Sequence, residues 1–242
     1  MNLLLRIAYQ PYKWLIVLPL AVSATLIGAL VCILAVFIFD EDTADAVALN
    51  WGRFCCWIVP IRLEVIGREN YIPGRSYVMV SNHQSMADIP ALYAALDIRI
   101  KWIMKQELKR VPIFGLACDK LGCIYIDRSN RNRAIQAMET ARKKLSNRAS
   151  VMFFAEGTRS RDGRVKPFKK GAFRFAKDCG LPVLPITIKD SIKILPSDSL
   201  NLLPGTITII VHPPLDLSQC PNESLDQIIR DTRDTVAHPL TV

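Results

Sequence analysis

Between Trp14 and Phe39 the chain carries no charged side chain, and Ser23 and Thr25 are its only mildly polar positions. As a helix the run is long enough to cross about 30 Å of hydrocarbon. A cleavable signal peptide does not fit, because the run exceeds a typical h-region and no A-x-A-like site directly follows it. Arg6 and Lys13 precede it, and Asp40, Glu41, Asp42 and Asp45 follow it. For a single span, the positive-inside rule would leave the N-terminus in the cytoplasm and place the rest of the chain outside. Pro19 and Gly28 interrupt the run, however, and a second apolar stretch, Ala46 to Pro60, follows at once. That stretch holds Arg53, is too short to cross comfortably, and carries Trp51 and Trp57, residues that favour a membrane interface. The pattern permits a hairpin sunk into one leaflet with both ends on the same side, and equally a single span over 14–39; hydropathy alone does not choose the hairpin.

The remainder alternates strand and helix signals. Strands are expected at Arg62–Ile66, Tyr77–Val80, Lys101–Met104, Cys123–Ile126, Val151–Ala155, Val183–Ile188 and Thr206–Val211. Helices are expected from about Pro90 to Leu96, over a Pro/Gly-punctuated stretch from Glu107 to Lys120, and at Lys169–Cys179, ended by Gly180. Another is expected from Glu223 to Ala237. The clearest amphipathic helix runs from Asn132 to Asn147, with Ala134, Ile135, Met138, Ala141 and Leu145 on one face. This alternation argues for a single α/β domain at 61–242, its sheet mixed or largely parallel and flanked by helices. A membrane-associated helical region at 1–60 precedes it.

Net charge is +9. That balance suits an anionic partner: a phospholipid surface, a phosphate-bearing substrate or nucleic acid. The seven cysteines show no metal-ligand spacing and suggest no disulfide framework, which fits a reducing compartment with thiols used as small apolar residues.

Polar clusters follow three of the expected strands, where open α/β sheets gather ligands. The first holds Asn82, His83, Ser85 and Asp88, followed by Pro90, which belongs only to a first helical turn. Within one helix, five residues would rotate His83 and Asp88 to about 140° apart. In a strand-to-helix turn they can converge, so that the carboxylate fixes the imidazole tautomer and leaves His83 as a base. The bland reading is a helix cap beside a surface histidine. The second cluster is Asp127-Arg128, otherwise a surface ion pair. The third runs from Glu156 to Ser160, otherwise a polar turn; there Gly157 permits close backbone approach and Arg159 offers a fork for phosphate. Lys105 lies beyond a further strand end.

Taken in order, Asn82-His83-Gln84-Ser85-Met86-Ala87-Asp88, Gly122 to Arg128, Glu156-Gly157-Thr158-Arg159-Ser160 and Val183-Leu184-Pro185-Ile186 resemble the four sequence blocks of the glycerophospholipid acyltransferases. The resemblance is closest to the 1-acyl-sn-glycerol-3-phosphate acyltransferases, over roughly residues 61–212. The second block departs mildly, with Tyr125 where members usually carry Phe. The resemblance implies an α/β core with a membrane-associated N-terminal region. It implies His83 as general base and Asp88 as its orienting carboxylate. Glu156, Gly157, Thr158 and Arg159, with Arg128 and Lys105, would bind the glycerol phosphate. The donor would be acyl-coenzyme A or acyl-carrier protein, the acceptor lysophosphatidic acid and the surface partner an anionic phospholipid membrane, with no cofactor or metal.

Glycerol 3-phosphate or another lysophospholipid remains the alternative acceptor. A covalent route through Ser85 is disfavoured, since no G-x-S-x-G elbow is present. A basic, non-catalytic membrane-surface module would explain the charge but not the recurrence of His83, Asp88 and Arg159 at strand ends. Nucleic-acid binding lacks a motif. Because acyl thioesters are cytosolic, the catalytic domain is expected on the cytoplasmic side, which favours the hairpin.

Overall fold

Residues 3–144 and 149–241 are described in the computed structural model of the chain. The apolar N-terminal run is one long helix: α1 (Leu3–Tyr12), a π-helical turn at Lys13–Val17, and α2 (Leu18–Ile38). Pro19 does not interrupt it. The proline falls in the first turn of α2, directly after the π-helical turn, where the changed hydrogen-bond register accommodates its missing N–H. Gly28 marks a packing contact, since a Cβ there would meet the Trp51 ring at 3.7 Å.

The chain reverses at Asp40, whose carboxylate caps α3 (Glu41–Ile58) by accepting the Thr43 N–H at 2.7 Å. Glu41 and Asp42 thus occupy the first turn of a helix, not a loop, where negative charge complements the helix dipole. Trp51 faces α2, its indole N–H donating to Thr25 Oγ1 at 3.1 Å, while Trp57 stays exposed. Of the two tryptophans expected at a membrane interface, Trp51 instead packs inside the hairpin, and Trp57 is the exposed one.

Seven strands form one sheet: β1 (Ile61–Ile66), β2 (Val78–Ser81), β3 (Arg99–Lys105), β4 (Ile124–Ile126), β5 (Ala149–Phe154), β6 (Val183–Lys189) and β7 (Gly205–Val211). Their order is β1-β7-β6-β2-β5-β3-β4. Among these seven strands only the β6–β7 pairing is antiparallel, with Ile186 opposite Val211. The central strands β2, β5 and β6 are apolar and buried on both faces, as parallel strands covered by helices must be. The expected mixed, largely parallel α/β architecture is the one observed.

The flanking helices are α4 (Asp88–Ala95), α5 (Phe114–Lys120), α6 (Arg131–Lys144), α7 (Gly171–Cys179), α8 (Ser191–Ile194) and α9 (Leu225–Ala237). The stretch expected to be helical from Glu107 splits into a 3₁₀ turn, Gln106–Arg110, and α5, because Pro112 stands between them. On α6, Met138 and Ala141 face the protein, but Ile135 is exposed. Residues 145–147 of that expected helix, Leu145 included, lie outside the described residues.

The N-terminal hairpin is docked against the sheet layers. A Cβ on Gly52 would lie 2.6 Å from Tyr93 Cβ and 2.9 Å from Pro90 O, so α3 and α4 pack almost backbone to backbone. At the hairpin tip, Asp42 pairs with Arg99, and both oxygens of Asp45 lie 3.1 Å from Lys101 Nζ. The Asp45–Lys101 pair is buried, and burial lifts the Asp45 carboxyl above the usual range while Lys101 opposes the shift. A buried pair broken on one side leaves an uncompensated charge. Asp45→Ala should therefore destabilise the protein by about 3–5 kcal/mol in denaturant unfolding, and Asp45→Leu with Lys101→Met should recover most of that. A loss below about 1 kcal/mol for the single change would show that the pair does not hold the hairpin.

Candidate active site

The site is built where β2 ends. Asn82 mimics a strand there: its amide donates to Ile188 O and accepts from Ile188 N–H, both at 2.8 Å, tying the end of β2 to β6. Beyond it the chain turns, and Asp88 is the first residue of α4, not part of the turn as expected. Its side chain reaches back instead. Asp88 Oδ2 accepts from Gln84 N–H at 2.9 Å and Ser85 N–H at 3.0 Å, and lies 2.7 Å from His83 Nδ1. With the carboxylate acceptor on that side, the neutral tautomer that fits carries its proton on Nδ1 and leaves the lone pair on Nε2. Asp88 is fully buried, and its Oδ1 has no hydrogen-bond partner among the described residues.

The imidazole is fixed on its face as well as its edge. It stacks on Phe154, the last residue of β5, with centroids 3.7 Å apart and planes 8° from parallel. Its backbone is held by the loop after β5. Glu156 Oε1 accepts the His83 N–H at 2.8 Å, and Ser160 N–H donates to His83 O at 2.7 Å. The second oxygen of Glu156 accepts Lys166 N–H at 2.9 Å. Burial raises the Glu156 carboxyl above its ordinary value, partly offset by those two N–H donors. Ser197 Oγ lies 3.0 Å from both Gln84 O and Ser160 O, bridging the two loops.

Gly157 has φ +78°, a left-handed conformation that L side chains rarely adopt, and a Cβ there would strike Lys169 Nζ at 2.6 Å. Its carbonyl accepts from Arg128 Nη1, which links the Asp127-Arg128 cluster to the Glu156 loop. Arg159 lies 3.5 Å from Asp198, and Lys105 pairs with Glu107 at 2.9 Å. His83, Lys105, Arg128, Gly157, Thr158 and Arg159 all line one cavity of about 710 Å³. Its remaining wall is largely apolar, with Ala29 and Cys32 from α2, Trp51 from α3, Tyr93 from α4, Trp102 from β3, and Phe114 and Cys118 from α5.

Of the residues singled out in the sequence, the fold brings His83, Lys105, Arg128 and the 157–159 loop to one cavity, while Asp88 lies fully buried behind His83. Glu156, expected beside the loop residues, is also buried behind them, with both oxygens occupied by backbone N–H groups. Three supporting residues escaped sequence reasoning. Asn82 stood in the first block without a role, Lys166 lay inside a basic stretch, and Ser197 carries no signal beyond being a loop serine.

The other candidate nucleophiles are engaged elsewhere. Ser85 is fully buried and its hydroxyl donates to Leu195 O at 2.7 Å. The Cys118 thiol is buried against Cys123, and that contact together with burial raises its pKa, as befits a core thiol. His212 lies 2.8 Å from Thr187 Oγ1, and burial lowers its pKa. No group of three or more potential metal ligands occurs among the described residues.

Known proteins share both the sequence and the fold. A family model described as Acyltransferase matches residues 62–189, more than half of the chain. The 1-acyl-sn-glycerol-3-phosphate acyltransferase of Chlamydomonas reinhardtii is 35% identical over 237 residues, covering 97% of this chain and 69% of that protein. The human 1-acyl-sn-glycerol-3-phosphate acyltransferase alpha is 36% identical over 160 residues, 66% of this chain and 56% of the relative, so the chain spans little more than half of the human protein. The crystal structure of the 1-acyl-sn-glycerophosphate acyltransferase PlsC from Thermotoga maritima matches with a TM-score of 0.81 at 26% identity, covering 98% of each chain. A histidine–carboxylate pair at a strand end, the arginines around it and these likenesses agree: the chain belongs to the acyltransferase family, among the 1-acyl-sn-glycerol-3-phosphate O-acyltransferases.

Proposed function

We propose that the protein transfers a fatty acyl group from acyl-coenzyme A or acyl-carrier protein to the sn-2 hydroxyl of lysophosphatidic acid, forming phosphatidic acid. The observation that carries this reading is the 2.7 Å contact between His83 Nδ1 and Asp88 Oδ2 at the wall of a cavity that also holds Arg128 and Arg159. His83 Nε2 takes the hydroxyl proton as the oxygen attacks the thioester carbonyl. The carbon–sulfur bond breaks as the tetrahedral adduct collapses, and the proton passes from Nε2 to the departing sulfur. Such proton transfer is worth about 10²–10⁴-fold. Arg159, Arg128 and Lys105, with the Gly157–Thr158 backbone, hold the acceptor phosphate. Glu156 positions His83 and does not touch the phosphate, since a second anion there would repel it. The apolar body of the cavity suits a fatty chain. Direct transfer is favoured over an acyl-serine because Ser85 Oγ is turned away to Leu195 O.

The geometry supports a monotopic hairpin over a single span. At the π-helical turn inside the long helix, Tyr12 donates to Ile58 O of α3 at 2.9 Å and Lys13 Nζ lies 3.3 Å from Leu200 O. Just past the C-terminal end of α2, Asp42 and Asp45 are bound to Arg99 and Lys101 of β3. A helix tied to the domain at the start of α2 and just beyond its end lies along the domain over that stretch and does not stand out from it through a bilayer. Its outward side chains, among them Leu15, Leu26, Leu34 and Phe37, are exposed and suit one leaflet. The domain then faces the compartment that supplies acyl thioesters, the cytoplasm.

Thiol release from acyl-coenzyme A by the purified protein tests the chemistry. His83→Ala should lower turnover by at least about 100-fold with the fold intact; retention of more than a tenth of the activity would remove His83 as the base. Arg159→Ala should raise the KM for lysophosphatidic acid about tenfold or more while leaving the KM for the acyl donor unchanged, as expected on losing a charge-assisted phosphate contact. A rise confined to the donor would contradict the phosphate role. Higher kcat/KM with glycerol 3-phosphate than with lysophosphatidic acid in the same assay would favour the alternative acceptor.

A further inference from the structure

The connection between the 3₁₀ turn Gln106–Arg110 and α5 is strained at an unexpected place. Ile113 has φ +61° and ψ −56°, and Phe114 N–H bonds to Pro112 O at 2.6 Å across it. This is the rare γ-turn of positive φ, centred on a β-branched residue, the class least suited to it. Strain of this kind persists only where the surroundings impose it, and it marks functional segments more often than random ones. Here the surroundings do impose it. A Cβ on Gly115 would lie 2.3 Å from Lys109 O, Gly115 N–H bonds to Val111 O at 2.8 Å, and Tyr125 clamps Gly115 O at 2.8 Å.

The turn drives apolar side chains into the open. Val111, Ile113 and Leu116 are 43%, 38% and 49% exposed, in a rigid segment flanked by the exposed cations Lys109 and Arg110. Two neighbours show what such a surface meets. First, α5 packs on α2, and Lys120 Nζ sits 4.5 Å over the Phe37 ring, so the patch continues the exposed apolar side of the long helix. Second, Leu108 and Phe114 of the same segment line the cavity beside Lys105.

We propose that residues 108–116 form a second membrane contact, with Val111, Ile113 and Leu116 entering the interface of an anionic bilayer beside α2. The rigid loop would hold the cavity mouth at the lipid surface, so that a lipid acceptor passes into the site without crossing water. At its rim Arg110 matches anionic headgroups, beside Lys109, which is paired with Asp119 at 3.0 Å, and the apolar tips match the acyl boundary below them. The inference rests on the monotopic membrane reading given above.

The full-length protein tests it with two presentations of the acceptor: a short-chain lysophosphatidic acid, monomeric in solution, and a long-chain one held in vesicles of phosphatidylcholine and phosphatidylglycerol. The combined variant Val111→Ser, Ile113→Gly, Leu116→Ser should lose about tenfold or more on the vesicle-held acceptor, on the scale of a few apolar side chains withdrawn from lipid. It should keep its activity on the monomeric one. Ile113→Gly alone should leave the thermal midpoint unchanged or raised, because glycine adopts positive φ without strain, while still lowering activity on vesicles. Equal losses on both presentations, or no loss on either, would overturn the proposal; the latter is what a patch covered by a partner protein or a second copy would give. Vesicle flotation of the parent protein separates the two readings. A parent that floats while the variants act normally overturns only the loop, and a parent that fails to float overturns the membrane reading beneath it.

Discussion

One oxygen atom organises the site. Asp88 Oδ2 sits within hydrogen-bond distance of three nitrogens, two from the turn backbone and one from the imidazole. The same carboxylate therefore shapes the turn and orients the imidazole of His83. Its position at the start of α4 makes this possible: the helix begins just where the chain needs an acceptor for otherwise unpaired N–H groups. Glu156 repeats the device from the other side, bonding the backbone of His83 and of Lys166. Between two buried carboxylates and the ring of Phe154, His83 has little freedom left. Such restraint is what general-base chemistry requires, because a misplaced base loses rate steeply.

The N-terminal hairpin depends on the same economy of contacts. Its tip is bound to β3 through Asp42 and Asp45, and its second helix packs on α4 at Gly52. Since α4 carries Asp88 at its first position, the hairpin braces the helix that orients His83. The hairpin also supplies one wall of the cavity, through Ala29, Cys32 and Trp51. Membrane attachment and substrate binding thus share a wall in the proposed function.

Much of this was legible in the sequence, for reasons that can be named. Continuous apolar runs such as Val151 to Ala155 announce central parallel strands, and clusters at their ends announce the site. His83, Asp88 and Arg159 could be singled out because each pairs a reactive side chain with a strand end. What could not be read depends on contacts distant in sequence. The antiparallel pairing of β7 with β6 leaves no local trace, because both segments are simply β-branched. Pro19 looked like a break because the π-helical turn that absorbs it has no sequence signature. Trp51 looked interfacial because its partner, Thr25, is supplied by another helix. Glu156 looked like a substrate contact because it adjoins Gly157, Thr158 and Arg159, which line the cavity, and only the fold turns it inward.

The claim at the centre is that Asp88 leaves His83 with a bare Nε2. Nitrogen-15 NMR of histidine-labelled protein at neutral pH reads that state directly, and since the chain holds three histidines, the spectrum of His83→Ala identifies the resonance. For a neutral ring, the Asp88 contact calls for the proton on Nδ1 and a bare Nε2. A neutral ring protonated on Nε2, with Nδ1 bare, would contradict both the Asp88 contact and the base role built on it.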